Sequence, residues 1–545
     1  MKGFGDKPKK QVKSIKIDLM NINNSKQDAF VYLQNRNFKK AEQIYIQCLR
    51  EGIIDKEIYC SLADLYKQLG QFEKAIKYFN KAIELSNKDA NLFFNLGLLF
   101  FKQKNIQSAI DCYEKGLNID PNNIFALLNL ANIFEDNSQF ELALDAIKKC
   151  YHLNSSDPKV IFAHGNILKS LGKYNESIQK YNEVLLLDQN FLEAKTNIGC
   201  VLHQSGKIEE GIKYFDDLLK SNGSCPKIET HLSHLLLLKG NYKEGLKKYD
   251  SRLIANLNDY AKYNHLQRWG NESLHNNYQL LVTSEQGLGD TIQFCRYLIP
   301  LKQKGIEVVF CVQEKLKELI KVSNLVEKIY TDKNIPKLKK TKWIPLLSIP
   351  RVLGVNPLDP IFNKPYIKPP EKKIIEWRKL LQINNKPTVG INWQGNPEIE
   401  KDNLRGRSLA LNYFKEIASK DINLISLQKG FGAEQIEKSS FKNRFIKQQN
   451  EISVNLDFVD NASIIYNCDL VITSDTVIAH LAGSIGKETW LLLQKIPDWR
   501  WGLDSELSFW YPSIKLYRQK SFNNWDEVLM RIALDIDAYI INFEK

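Results

Sequence analysis

A small residue returns every 34 positions through the first half of this chain, at Ala41, Ala75, Ala109, Ala143, Ser177, Gly211 and Gly245. Four residues after each stands a larger apolar one: Tyr45, Phe79, Tyr113, Ile147, Tyr181, Phe215 and Tyr249. A register that never slips means one supersecondary unit copied in series, each copy burying its apolar face against the next. Within a copy, a first helix carries a step such as Leu62-Ala63, Leu96-Gly97, Leu130-Ala131 or Ile198-Gly199, followed three residues on by Tyr66, Phe100, Phe134 or Leu202. The small residues let two helices approach closely, and the large ones fill the space between successive copies.

These residues resemble the tetratricopeptide repeat, over residues 22–260 as seven units with the first and last degenerate. The resemblance implies an α-helical solenoid whose concave face holds a protein or peptide in extended form. The plainer alternative is an array that only spaces or oligomerises the C-terminal half of the chain.

Composition narrows the class. At 545 residues with 43% hydrophobic and 26% charged content, the chain reads as several soluble globular domains. The first twenty residues are lysine-rich without an apolar stretch of signal-peptide length, and residues 91–101, the most apolar segment, are too short to span a bilayer. Nine scattered cysteines with no C-x-x-C pair suit a reduced compartment and no zinc site. The expectation is a cytoplasmic protein, with the inner face of the membrane as a possible location. The net charge of +13 comes from lysine spread along the whole chain, mostly on solvated faces. Two clusters, Lys7 to Lys16 and Lys337 to Lys342, are candidates for weak contact with an anionic membrane surface or a phosphorylated ligand. Neither has interleaved aromatics, so no nucleic-acid partner is expected.

All nine tryptophans lie at Trp269 or later, and the repeat stops near Asn258. From Tyr278 onward, apolar runs of strand length alternate with helical patterns, as in doubly wound α/β structure. Strands are expected at 280–284, 307–312, 328–331, 343–347, 388–393, 423–427, 469–473 and 488–493. The resulting organisation is a basic tail (1–21), the repeats (22–260), a linker (261–277) and two Rossmann-like domains facing a cleft, at 278–370 and 371–545.

Two turns carry chemistry. After the strand ending near Thr473, the polar run Ser474-Asp475-Thr476 opens a helix containing His480 and Gly483. Unpaired N–H groups and the dipole at that helix start, with two hydroxyls, make an anion site that suits a diphosphate; an ordinary capped helix is the alternative. After the first α/β strand, Gly287-Leu-Gly289-Asp290 leads into a helix. The dinucleotide fingerprint wants a third glycine where Ile292 stands, and no P-loop Lys-Ser/Thr is present, so neither an NAD nor an ATP site is expected. Asp290 at that strand end is a candidate general base, or a capping aspartate.

In order along the chain come Glu285-Gln-Gly-Leu-Gly-Asp290-Thr, Pro345-Leu-Leu-Ser-Ile-Pro350, Gly390-Ile-Asn-Trp-Gln-Gly-Asn-Pro397, Arg407-Ser408, Ser426-Leu-Gln-Lys-Gly430, Asp475-Thr476 with His480-Leu-Ala-Gly483, and Pro497-Asp-Trp-Arg-Trp501. Together they resemble bacterial tetratricopeptide proteins whose C-terminal half is a heptosyltransferase-like domain (glycosyltransferase family nine) of the GT-B fold. The plan is also similar to the protein O-linked N-acetylglucosamine transferases. The resemblance implies an inverting glycosyltransferase that moves a sugar from a nucleotide sugar to a hydroxyl on a glycan or protein acceptor, with neither metal nor cofactor. No Asp-x-Asp comes directly after a strand, since Asp535-Ile-Asp537 falls in a terminal helix.

By the same resemblance Asp290 matches the base, and Arg407, with Arg405 as substitute, the cation that balances the leaving group. Gly287, Gly289, Ser474, Asp475, Thr476, His480 and Gly483 match the donor site. Asp475 itself should repel phosphate and is expected to cap or to meet a sugar hydroxyl. Gln428, Lys429 and Glu434 are candidates for ribose or base contacts, and Trp393, Trp499 and Trp501 for cleft walls, with core aromatics as the alternative. The last helix is expected to cross back and brace the first Rossmann-like domain. The competing function is an interaction scaffold whose GT-B half binds without turnover.

Overall fold

The structure, a computed structural model, describes residues 22–256, 260–270, 272, 278–381, 384–397, 400, 406–454 and 457–543. The basic tail with Lys7 to Lys16, and Arg405, lie outside the described residues. Two compact units form, divided between Ile198 and Gly199.

Through the first unit, helices of 13 or 14 residues alternate with short turns, from Ile22–Gln34 and Phe38–Arg50 to Pro158–Ser170 and Tyr174–Leu187. Turn chemistry sets their starts: Asn37, Asp55, Asp89, Asn105, Asn123 and Asp157 each accept a backbone N–H of the first turn. Ala41, Ala75, Ala109, Ala143 and Ser177 have no exposed surface, and their partners from Tyr45 to Tyr181 are buried beside them. The glycine of the first helix in a pair marks the close approach. A Cβ on Gly97 would lie 2.9 Å from the Tyr113 ring, and one on Gly165 2.7 Å from Tyr181.

The same pairing opens the second unit, where a Cβ on Gly199 would come within 2.2 Å of Phe215. Gly199→Ala is therefore expected to destabilise this unit by about 1–3 kcal/mol through overpacking. A urea unfolding midpoint unchanged from wild type would contradict that.

The repeats continue as Ile208–Asn222, Pro226–Leu238 and Tyr242–Tyr249, and then the period of the pattern changes from helix to strand. Among the described residues ten strands come next, in two parallel sheets. The first is ordered β1-β5-β2-β3-β4, from β1 (Gln267–Arg268), β2 (Gln279–Thr283), β3 (Glu307–Cys311), β4 (Lys328–Tyr330) and β5 (Thr341–Pro345). The second is ordered β10-β9-β8-β6-β7, from β6 (Thr388–Asn392), β7 (Asn423–Ser426), β8 (Leu470–Ser474), β9 (Thr489–Leu493) and β10 (Ile514–Arg518).

Alternate residues on these strands feed opposite cores, as parallel sheets covered on both faces require. Leu280, Val282, Val308, Phe310 and Ile344 pack on one side of the first sheet, while Leu281, Val309 and Trp343 pack on the other with Tyr263. The residues expected to form a linker join this architecture: β1 pairs with β5, and Trp269 is buried. One core runs from Cys200 through Trp269 to Leu516, so the last repeat helices and both sheets share an interior.

The terminal helix, Trp525–Phe543, departs from expectation. It buries Trp525, Val528, Leu529, Ile532 and Ile536 in the core of the second sheet, with Val389, Leu470, Trp490 and Leu492. That apolar stripe keeps it on its own sheet instead of the first one. Asp535 accepts from Lys515 and Tyr517, and Asp537 from Lys420 at 2.6 Å, which pins its polar side as well.

Candidate functional site

In doubly wound sheets, ligands gather at the carboxyl ends of strands where the strand order reverses. The second sheet reverses between β6 and β8, and the first between β2 and β5. Ser474 closes β8, Asn392 closes β6, and the turn 284–287 comes after β2. Both turns picked out in the sequence thus sit at reversal points.

The helix after β8 runs Val477–Ile485, with Thr476 as its N-cap. Thr476 Oγ1 accepts from the Ile478 N–H at 3.3 Å and donates to Asn392 Oδ1 at 2.8 Å. Asn392 Nδ2 in turn donates to Gln428 Oε1 at 2.8 Å. Three strand ends are thereby laced together by one amide. Gln428 is a brace: its Oε1 also accepts from the backbone of Trp393 and Gln394, and its Nε2 donates to the carbonyls of Gln394 and Phe431. The next residue differs. Lys429 Nζ is buried without a hydrogen-bond partner, and burial pulls its pKa down to about 8. Ser474 Oγ is likewise fully buried and unpartnered. Glu434 is exposed.

Asp475 does not cap the helix; Thr476 does. Its carboxyl is buried, and burial together with the like charge of Asp498 pushes its pKa up to about 6, against the pull of Arg407. Arg407, half-buried, donates to Glu400 from Nε at 3.2 Å, and its charge acts on both Asp475 and His480. His480 stacks on Trp501 with ring centroids 5.4 Å apart, and its Nδ1 lies 3.1 Å from the Tyr511 hydroxyl. Burial, with Arg500 and Arg296 nearby, lowers its pKa to about 3, so the imidazole is neutral. Gly483 is a packing residue, since a Cβ there would meet Tyr511 at 2.6 Å.

On the first sheet, the helix starts at Leu288, earlier than the pattern suggested, with Gly287 as its N-cap. Asp290 is its third residue and accepts the Gly287 N–H at 2.9 Å. A Cβ on Gly289 would lie 2.9 Å from His480 Cδ2 and 3.6 Å from Val477 Cα. The two helix starts therefore meet face to face, and only glycine permits that approach. Asp290, His480 and the Thr476 cap belong to one place.

Arg500, absent from the residues expected at the site, is the hub of it. Its Nε donates to Gln293 at 2.9 Å, its Nη1 to Asp498 at 2.8 Å, and its Nη2 to Asp290. Burial raises the Asp290 pKa above the usual carboxylate value, and Arg500 opposes that shift. A lone arginine between Trp499 and Trp501 was the available signal. The tryptophans themselves are core residues, not cleft walls. Trp393 is 0% exposed in the second-sheet core, and Trp499 is 2% exposed among Tyr242, Tyr249, Phe294 and Trp510. Large aromatic surface at a sheet junction was better buried than left open.

Models of the tetratricopeptide repeat match residues 63–104, 90–123, 112–145, 165–206 and 192–225, so the region from 63 to 225 carries these repeats. No curated protein matches the chain. Similar solved structures include MamA, at 22% identity over 32% of this chain and 92% of that one, with a TM-score of 0.29. YrrB, described as a TPR protein with an unusual peptide-binding site, shares 21% identity over 34% of this chain and 95% of its own, with a TM-score of 0.30. A tetratricopeptide repeat protein from Parabacteroides merdae shares 12% identity over 45% and 97%, with a TM-score of 0.37. Among the described residues, no helix is long and apolar enough to cross a membrane.

Proposed function

We propose that the α/β half is an inverting glycosyltransferase of the GT-B type that uses a nucleotide sugar, and that the repeats engage a protein or peptide partner or acceptor. The observation that carries the reading is the helix start at Val477, with the unpartnered Ser474 hydroxyl beneath it and the Asp290 helix start opposite. The dipole at that end, and the first-turn N–H groups that the Thr476 cap does not take, suit a diphosphate. Lys429 supplies a buried cation with no bond to give up.

In the reaction, an acceptor hydroxyl attacks the anomeric carbon and gives its proton to the Asp290 carboxylate. The bond from that carbon to the diphosphate oxygen breaks, and the diphosphate leaves with the electron pair. Arg407, Lys429 and the helix N–H groups balance the charge it carries away.

The test is a melting series of the full chain with ADP, GDP, UDP and CDP, and then with the matching nucleotide sugars. One base is expected to raise the melting temperature, and Lys429→Ala to weaken that diphosphate about tenfold or more. No shift with any base would overturn the reading. A shift without consumption of any nucleotide sugar would favour a binding module.

A further inference from the structure

Pro497-Asp-Trp-Arg-Trp501 is the one sequence motif whose charged members the proposed reaction leaves without a task. It folds as a short turn, Trp499–Trp501, capped by the Asp498 side chain, which accepts the Arg500 N–H at 3.0 Å. Arg500 is buried, lies over the Trp499 ring at 4.6 Å, and divides its guanidinium among Gln293, Asp498 and Asp290. Gln293 belongs to the same helix as Asp290.

We infer that Arg500 is the positioning residue of Asp290: anchored by Asp498 and Gln293, it fixes the carboxylate in one orientation and sets a positive charge beside it. The inference rests on the reading of Asp290 as the base. Asp290 Oδ1 takes Arg500 and Oδ2 takes the Gly287 N–H. A carboxylate oxygen has two lone pairs, so each keeps one for an incoming proton. A bidentate clamp would fill Oδ2, which already takes the Gly287 N–H; sharing the guanidinium with Asp498 leaves that lone pair open.

The other groups that face the pair are Glu285 on the preceding turn, Tyr249 and His234 on the last two repeat helices, and Asp475 and His480 on the opposite helix start. His234 is neutral, its pKa lowered to about 3 by burial, and His480 is neutral too. Near pH 7, then, the charges that bear on Asp290 are carboxylates and Arg500.

The test uses the full chain and two readouts. Carbon-13 NMR of labelled aspartate carboxyls gives the Asp290 titration, identified by the resonance that Asp290→Asn removes. The pH profile of nucleotide-sugar consumption gives its acidic limb. Arg500→Gln is expected to move both up by about one pH unit or more, and Arg500→Lys to restore most of the shift. Asp498→Asn tests the same idea with the opposite sign and keeps it open to refutation if Arg500→Gln fails to fold. With its competitor neutral, Arg500 pairs more fully with Asp290, and the titration moves down. A titration that stays in place in the folded variants overturns the positioning role. A titration that moves while wild type consumes no nucleotide sugar upholds it and overturns the transferase reading.

Discussion

Glu285→Ala is expected to lower the stability of the second unit by about 3–5 kcal/mol, the range for stripping a buried ion of its partner. Glu285 is 7% exposed and Arg252 2%. The two form a two-pronged pair, Nε to Oε2 at 3.0 Å and Nη2 to Oε1 at 2.8 Å. Glu285 also accepts from the Tyr260 hydroxyl at 2.7 Å and the Leu347 N–H at 2.9 Å. Alanine leaves all of these donors without that acceptor, with Asp250, among the described residues, as the only carboxylate still bonded to Arg252.

An exposed pair such as Lys302–Glu327 is worth at most about 1 kcal/mol and makes the natural control. Because Arg252 lies just after the last repeat and Glu285 precedes Asp290 in its turn, the loss should also weaken any ligand held at the crevice. Urea unfolding with a midpoint like that of the Glu327→Ala control would contradict the argument.

The second large effect has the opposite sign. Asp475→Asn is expected to stabilise the second unit near pH 7 by about 2–3 kcal/mol. The folded pKa is about 6, against 3.8 for an unperturbed aspartate. A carboxyl whose folded pKa is raised binds its proton better folded than unfolded, so ionisation costs stability. That cost is absent below about pH 4, grows through about pH 6, and is complete above it. Asparagine keeps the size and drops the charge, so the variants should coincide in acid and diverge towards neutrality. Removing a negative charge beside a proposed diphosphate site should also tighten diphosphate binding. A variant less stable than wild type at pH 7 would show that Asp475 is held by bonds stronger than its desolvation, and an equal difference at pH 4 would show that its charge is not the cause.

How far the sequence speaks for this molecule depends on whether the signal is repeated or local. The repeats were legible because one rule, a small residue facing a large one, recurs seven times and survives exceptions such as Ile147. The strand positions of both sheets were legible from apolar runs, except where the run was broken. β1 is two exposed residues, Gln267 and Arg268, held by pairing alone. β10 mixes Lys515 and Arg518 into its sequence because it is the edge of its sheet.

The site was half legible. Thr476, His480 and Asp290 announce themselves as polar residues at helix starts. Asn392 does not, since its work is to join three strand ends that lie far apart in sequence. Nor does Arg500, whose partners Asp290 and Gln293 lie 210 and 207 residues away. The tryptophans were left open between core and cleft for a related reason: composition shows that they cluster, but not which side of a sheet they cover.

The central claim is that the helix start at Val477 binds the diphosphate of a nucleotide sugar and that Asp290 takes the acceptor's proton. Its most direct test measures donor binding and sugar transfer side by side in wild type, Asp290→Asn and His480→Ala, with the nucleotide sugar found by the melting series. Asp290→Asn is predicted to abolish transfer while binding the donor as wild type does, and His480→Ala to weaken donor binding. Loss of binding and transfer to the same degree in both variants would contradict the claim.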